Sequence, residues 1–133
     1  MAELRIRNAK VSYSDQGDGA AVVLLHAGAG SNRQWTKLTP LLGARRIIAP
    51  DFWGFGESDP WDGADPIRHD DNADLVAALI AHLGLDRVHL VGHSYGGAPA
   101  TRLVLRRPEL VASLVLIEPI LTPLLKHAGE TVM

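Results

Sequence analysis

The sequence predicts an α/β protein: a three-layer α/β/α arrangement built on a mostly parallel sheet of about six strands. Short apolar runs rich in β-branched residues recur at 21–25, 46–50, 87–91 and 113–117. Between them lie glycine-rich turns and apolar residues at helical spacing. Runs without alternation suit strands buried on both faces, and strand–helix alternation suits a parallel sheet covered by helices on both sides.

Residues 10–14 alternate in part and run into Asp15-Gln16-Gly17-Asp18-Gly19, a strand ended by a turn. Residues 21–25, Ala-Val-Val-Leu-Leu, form a buried strand that passes directly into His26-Ala27-Gly28-Ala29-Gly30. Ser31 or Asn32 can then cap a helix with apolar positions Trp35, Leu38, Leu41 and Leu42, its last turn kinked or shortened by Pro40. Residues 46–50 are the next buried strand, leading into Asp51-Phe52-Trp53-Gly54-Phe55-Gly56-Glu57-Ser58.

The stretch from Asp59 to Asp71, with two prolines and five aspartates, reads as a loop. Leu75, Val76, Leu79, Ile80 and Leu83 then form one helical stripe, and Gly84 is placed to end that helix. Residues 87–91 are strand again, followed by Gly92-His93-Ser94-Tyr95-Gly96 and a helix over 95–107 that stops at Pro108. Pro99, at the fifth position of that helix, is expected to lose one backbone hydrogen bond and bend it slightly. Residues 113–117 are a last strand, ended by Glu118-Pro119.

Composition sets limits on function. The 133 residues predict one domain, and 47% apolar with 21% charged residues is an ordinary globular balance. A net charge of −2 provides no field for nucleic acid or an anionic membrane surface. There is no cysteine, which excludes disulfides, thiolate metal sites and cysteine nucleophiles and fits a cytoplasmic setting. The first residues are polar, unlike a signal peptide, and no run of about eighteen apolar residues exists to span a membrane.

The strongest chemical feature is Gly92-His93-Ser94-Tyr95-Gly96, because it falls between a strand and a helix. A nucleophile elbow requires that setting: the turn strains the serine backbone and exposes its hydroxyl, and side chains two positions away would collide with strand and helix. Gly97, Ala98 and Ala100 keep the following helical turn thin. The plainer alternative is a serine capping a helix behind a glycine turn. The second feature is the turn 26–30. Acyl transfer places negative charge on a carbonyl oxygen, and two preorganised amides must meet it. The amide of Tyr95 is one candidate donor. The glycine turn supplies the other, the amide of Gly28 first, with Ala27 beside it.

These motifs, His26-Ala27-Gly28-Ala29-Gly30, Asp51-x-x-Gly54-x-Gly56-x-Ser58 and Gly92-His93-Ser94-Tyr95-Gly96-Gly97 in this order and spacing, resemble the α/β-hydrolase superfamily. Within it the chain is similar to the esterase, enol-lactonase and carbon–carbon-bond hydrolase branch, over about residues 10 to 120. The resemblance implies that the Asp51 loop is structural and that a small-molecule carbonyl compound is the substrate, with no cofactor. Serine at the elbow also speaks against the haloalkane dehalogenase and epoxide hydrolase branches, which carry aspartate there. His26-Ala27 replaces the family's usual His-Gly. Residues 1–120 are thus expected to be the N-terminal part of a hydrolase core, and 121–133 the start of a cap or a C-terminal tail.

A serine hydroxyl needs a histidine base oriented by a carboxylate, in the chain order Ser, acid, His for this fold. Glu118, at a strand end after Ser94, is the candidate acid; its alternative is a residue at the mouth of the cap, the acid lying one strand later. His26 and His93 belong to the motifs, His69, His82 and His89 precede the serine, and His127 reads as a cap residue. The chain therefore reads as truncated, its base lying outside these residues. That leaves 113–117 as an open sheet edge and predicts self-association through it.

Two rivals stand beside this. A dinucleotide-binding unit is suggested by Gly28-Ala29-Gly30 and Asp51, but the position of its third glycine is Arg33. A degenerate hydrolase that binds without turnover is the other. Asp70, Asp71 and Asp74 with His69 could suggest a metal, although an acid-rich, solvated helix start accounts for them.

Overall fold

The computed structural model describes residues 1–119; His127 and the segment 121–133 lie outside the described residues. Strands β1 (Ala2–Ile6) and β2 (Ala9–Gln16) form an antiparallel hairpin whose two-residue turn places Arg7 and Asn8 at φ 50° and 71°. β3 (Ala20–Leu25), β4 (Arg45–Pro50), β5 (Val88–His93) and β6 (Val111–Ile117) follow. The sheet order is β1-β2-β4-β3-β5-β6, with β2 antiparallel to both β1 and β4 and the remaining neighbours parallel. The predicted α/β class and six strands are therefore present. β1 is an addition: Leu4 points inward between exposed Glu3 and Arg5.

Helices α1 (His69–His82) and α2 (Gly97–Arg106) lie together on one face of the sheet. The α1 stripe of Leu75, Val76, Leu79 and Ile80 is at most 1% exposed and packs over Val23, Ile48 and Leu90. Each such side chain contributes about 1.5–3 kcal/mol on burial. Gly84, at φ 67°, ends α1 where the sequence places the stop. Arg102 binds Asp70 at 2.7 Å, and Arg106 binds Asp74 at 3.1 Å, so two of the three acids near His69 tie α1 to α2. Asp71 instead accepts from the Arg68 amide and caps α1.

Two expectations about helices are corrected. The segment after the turn 26–30 is not an α-helix but two 3₁₀ turns, Asn32–Trp35 and Thr39–Leu42. Pro40 has no N–H to give the Thr36 carbonyl, and Thr39 Oγ1 donates to the Trp35 carbonyl at 2.9 Å in place of a helical amide. Trp35, Leu38 and Leu42 still cover the second face of the sheet, over Val22, Leu24, Ile47 and Ala49. Pro99 takes no hydrogen bond from α2, because Ser94–Gly96 form a 3₁₀ turn and α2 begins at Gly97, which puts the proline third in the helix. In the first helical turn the proline's missing N–H would have had no intrahelical acceptor.

β6 lies at the sheet edge, with Val115 and Ile117 50% and 41% exposed. Among the described residues no helix is long and apolar enough to cross a membrane.

Candidate active site

The register of the parallel strands assembles the site. β3 and β5 are neighbours, with Leu25 opposite Gly92, so the turn after β3 and the elbow after β5 emerge side by side at the carboxyl edge of the sheet. That edge is where open α/β sheets present ligands. Ser94 stands at φ 51°, a left-handed conformation in which a non-glycine residue is strained. The glycines around it are required by contact with backbone. A Cβ at Gly92 would lie 2.8 Å from the Gly96 carbonyl oxygen, and one at Gly96 would lie 2.4 Å from that of Leu25. Gly28 rests on Tyr95: a Cβ on it would lie 3.4 Å from Tyr95 Cβ. The structure thus brings Gly28, Ser94 and Tyr95 together.

Ala27 has a different duty. Its amide donates to Gln34 Oε1 at 2.8 Å, and its carbonyl receives the Gly30 amide and faces His26 Nδ1 at 2.7 Å. Those bonds hold the turn in shape and leave Gly28 and Ala29 exposed. Gln34 also reaches across to the elbow, with Nε2 2.6 Å from His93 Nδ1.

His26 is fully buried and fixes the turn against the Asp51 loop. The Phe52 amide donates to its Nε2 at 3.1 Å, so Nδ1 carries the proton and donates to the Ala27 carbonyl. Burial holds this imidazole below the usual histidine pKa, partly opposed by the Ala27 bond and the negative charge of Asp51. Asp51, 1% exposed, accepts from Ser12 Oγ, the Asn32 amide at 2.7 Å and the Glu57 amide at 3.1 Å. Gly56, at φ 53°, wraps around it so closely that a Cβ would overlap the carboxylate. Asp51 is therefore a loop anchor. It is not open to a ribose, and the segment where a dinucleotide-binding helix would start is a 3₁₀ turn.

Behind Ser94, the Tyr95 ring packs among Phe52, Phe55 and His69, with centroids 5.8, 5.9 and 5.4 Å away. Burial raises its phenol pKa, with the Asn72 hydrogen bond working the other way. Sequence reasoning missed Asn72 and Gln34. Asn72 carried a signal, being a polar residue three and four positions before Leu75 and Val76 and so on the apolar stripe of α1.

Because His93 is opposite Ile117, Glu118 follows β6 level with Ser94 on the neighbouring strand, at φ 45°. Three histidines have other partners: His26 as above, His93 with Gln34, and His89 Nδ1 with Ser113 Oγ at 2.6 Å. His82 is at the far end of α1, edge-on to Tyr13.

A family model described as the alpha/beta hydrolase fold matches residues 20–131. The chain is 35% identical over 122 residues to a 2-hydroxy-6-oxo-6-phenylhexa-2,4-dienoate hydrolase of Burkholderia cepacia, covering 88% of this chain and 42% of that protein. It is 42% identical over 100 residues to lipase LipV of Mycobacterium tuberculosis, covering 75% of this chain and 37% of that one. Among solved structures, the epoxide hydrolase CorEH superposes with a TM-score of 0.83 at 30% identity, over 90% of this chain and 42% of its own. The chain spans less than half the length of these curated relatives.

Proposed function

This chain belongs to the alpha/beta hydrolase fold family, and on that premise we propose that it carries the nucleophile and oxyanion half of a serine hydrolase. The substrate class is a small ester, lactone or related carbonyl compound. One observation carries the proposal: a serine held at φ 51° between a parallel strand and a helix, with Gly28 packed against the residue that follows it. Relatives at similar identity include carbon–carbon hydrolases, a lipase and an epoxide hydrolase, so overall likeness does not select a chemistry. A serine in place of an aspartate at the elbow supports an acyl-enzyme.

In this mechanism Ser94 Oγ attacks the substrate carbonyl carbon while a base takes its proton, and the carbonyl π electrons move onto oxygen. The amides of Tyr95 and Gly28 meet that oxyanion. Collapse expels the alkoxide, which takes the proton, and leaves an acyl-Ser94 that water cleaves with the same base. Glu118 is the candidate for the acid that orients this base, and the histidine itself is expected from sequence outside this chain. No metal or organic cofactor enters these steps. The cysteine-free composition suits the cytoplasm.

The test is labelling of the complete gene product by a fluorophosphonate probe, which needs an activated serine. Labelling that disappears in Ser94→Ala is the expected result. An unlabelled, folded protein would instead favour a degenerate hydrolase that binds without turnover.

A further inference from the structure

One fully buried polar side chain beside the elbow belongs to no motif. Asn72 has no exposed surface, and it sits in the first turns of α1, where alanine would be the better helix former by about 0.7 kcal/mol. A buried carboxamide is retained at such a place only if its hydrogen-bonding groups are met. Both ends of this one are. The Trp53 amide donates to Oδ1 at 3.3 Å, which fixes the orientation of the group, and Nδ2 then donates to Tyr95 Oη at 3.0 Å.

These two bonds join three segments: α1, the Asp51 loop and the elbow. Their consequence lies at Ser94. A residue at φ 51° relaxes if the peptide that follows it turns, and that peptide carries the Tyr95 amide. Turning it swings the Tyr95 side chain. The ring is wedged among Phe52, Phe55 and His69, and its far end is tethered to Asn72. A strained backbone persists only where its surroundings over-determine it.

We propose that Asn72 is a positioning residue for catalysis, holding the Tyr95 amide in its oxyanion-binding direction through the Tyr95 hydroxyl. This rests on the serine hydrolase proposed above. It assigns to a helix on the far side of the elbow a part in transition-state binding, with no contact to substrate.

The experiment measures the second-order rate of Ser94 labelling by a fluorophosphonate, whose phosphoryl oxygen occupies the oxyanion position, on the complete gene product. Losing an oxyanion donor outright costs about 10²–10³-fold, and loosening one is expected to cost on the order of tenfold. Asn72→Ala should therefore label about ten times more slowly per folded molecule. Tyr95→Phe, which keeps the ring and removes the hydroxyl, should slow in the same direction. The double variant should be no slower than the slower single one, because both act through one bond. Leu79→Ala, an α1 core change away from the elbow, is the control: it lowers stability and should label at the parent rate. If Asn72→Ala fails to fold, Tyr95→Phe alone decides. Labelling at the parent rate in Asn72→Ala or in Tyr95→Phe, or additive losses in the pair, overturns the assignment. A parent protein that does not label at all overturns the hydrolase proposal, and this one with it.

Discussion

Replacing Gly96 by alanine isolates one physical term, because its φ of −63° is ordinary for any residue and only space is at issue. The added methyl would stand 2.4 Å from the Leu25 carbonyl oxygen, 2.7 Å from that of His26 and 2.8 Å from the Leu25 carbonyl carbon. Real Cβ atoms essentially never come within 3.0 Å, so the elbow and the end of β3 must part by at least about 0.6 Å. All three obstacles are backbone, two of them at the end of a parallel ladder and one just beyond it, so no side chain can turn aside to make room. Overpacking of this kind costs about 1–3 kcal/mol, and a rigid obstacle places Gly96→Ala near 3. For a domain of this size that lowers Tm by roughly 10 °C. The same separation pulls the Gly28 turn from the Tyr95 amide, and a displacement of about 1 Å costs up to 10²-fold in rate. Gly84→Ala is the counterpart: a Cβ there meets nothing within 4 Å, and the only penalty is its φ of 67°, about 1 kcal/mol. Thermal unfolding by circular dichroism and the fluorophosphonate labelling rate are the assays. A Gly96→Ala protein melting within about 2 °C of its parent and labelling as fast would refute the packing account of the elbow.

Further outcomes follow from the same structure. His26 is buried neutral with a lowered pKa, so its contribution is intact at neutral pH and declines as pH falls through about 6.5, where only the unfolded imidazole takes up a proton. Urea unfolding at pH 7.5 and 5.5 should show that decline, and His26→Asn should flatten it. Asp70 has its pKa lowered, chiefly by the Arg102 hydrogen bond, so it stabilises above its unfolded pKa and loses this as pH falls through the folded value. With both groups partly solvated, Asp70→Asn should cost about 0.5–1 kcal/mol in urea unfolding at pH 7. The 133-residue chain by itself should elute above monomer size on gel filtration, and Val115→Lys, a charge on β6, the edge strand among the described residues, should shift it toward monomer. A clean parent monomer would count against edge pairing.

Much of this architecture was legible because the central strands are buried on both faces and so are continuously apolar. The elbow was legible because backbone contact forces glycine at 92 and 96, which leaves a trace in sequence, and the turn 26–30 because glycines cluster directly after a buried strand. The 3₁₀ turns were not. Trp35, Leu38 and Leu41 are three apart, a spacing that an α-helix face and a 3₁₀ turn share, and Pro40 decided between them. β1 carried a strand signal in the alternation Ala2-Glu3-Leu4-Arg5-Ile6, but a polar start read for its lack of an apolar core conceals it. Asn72 and Gln34 were missed for another reason. Their roles depend on what approaches from segments distant in sequence, and a single polar residue on a stripe does not name its partner.

The pairing of Leu25 with Gly92 bears on how the protein acquires reactivity. Every strand up to β4 can find a neighbour while the elbow segment is still absent, since β1, β2, β4 and β3 pair in that order. The elbow joins only when β5 docks against β3 across a long stretch of chain, a closure that is slow in entropic terms. Without β5 the turn 26–30 therefore lacks both the strand that sets the serine beside it and the Gln34–His93 contact that ties it there. Acquisition of the fluorophosphonate label during refolding would then report that docking together with the arrival of the base that activates the serine.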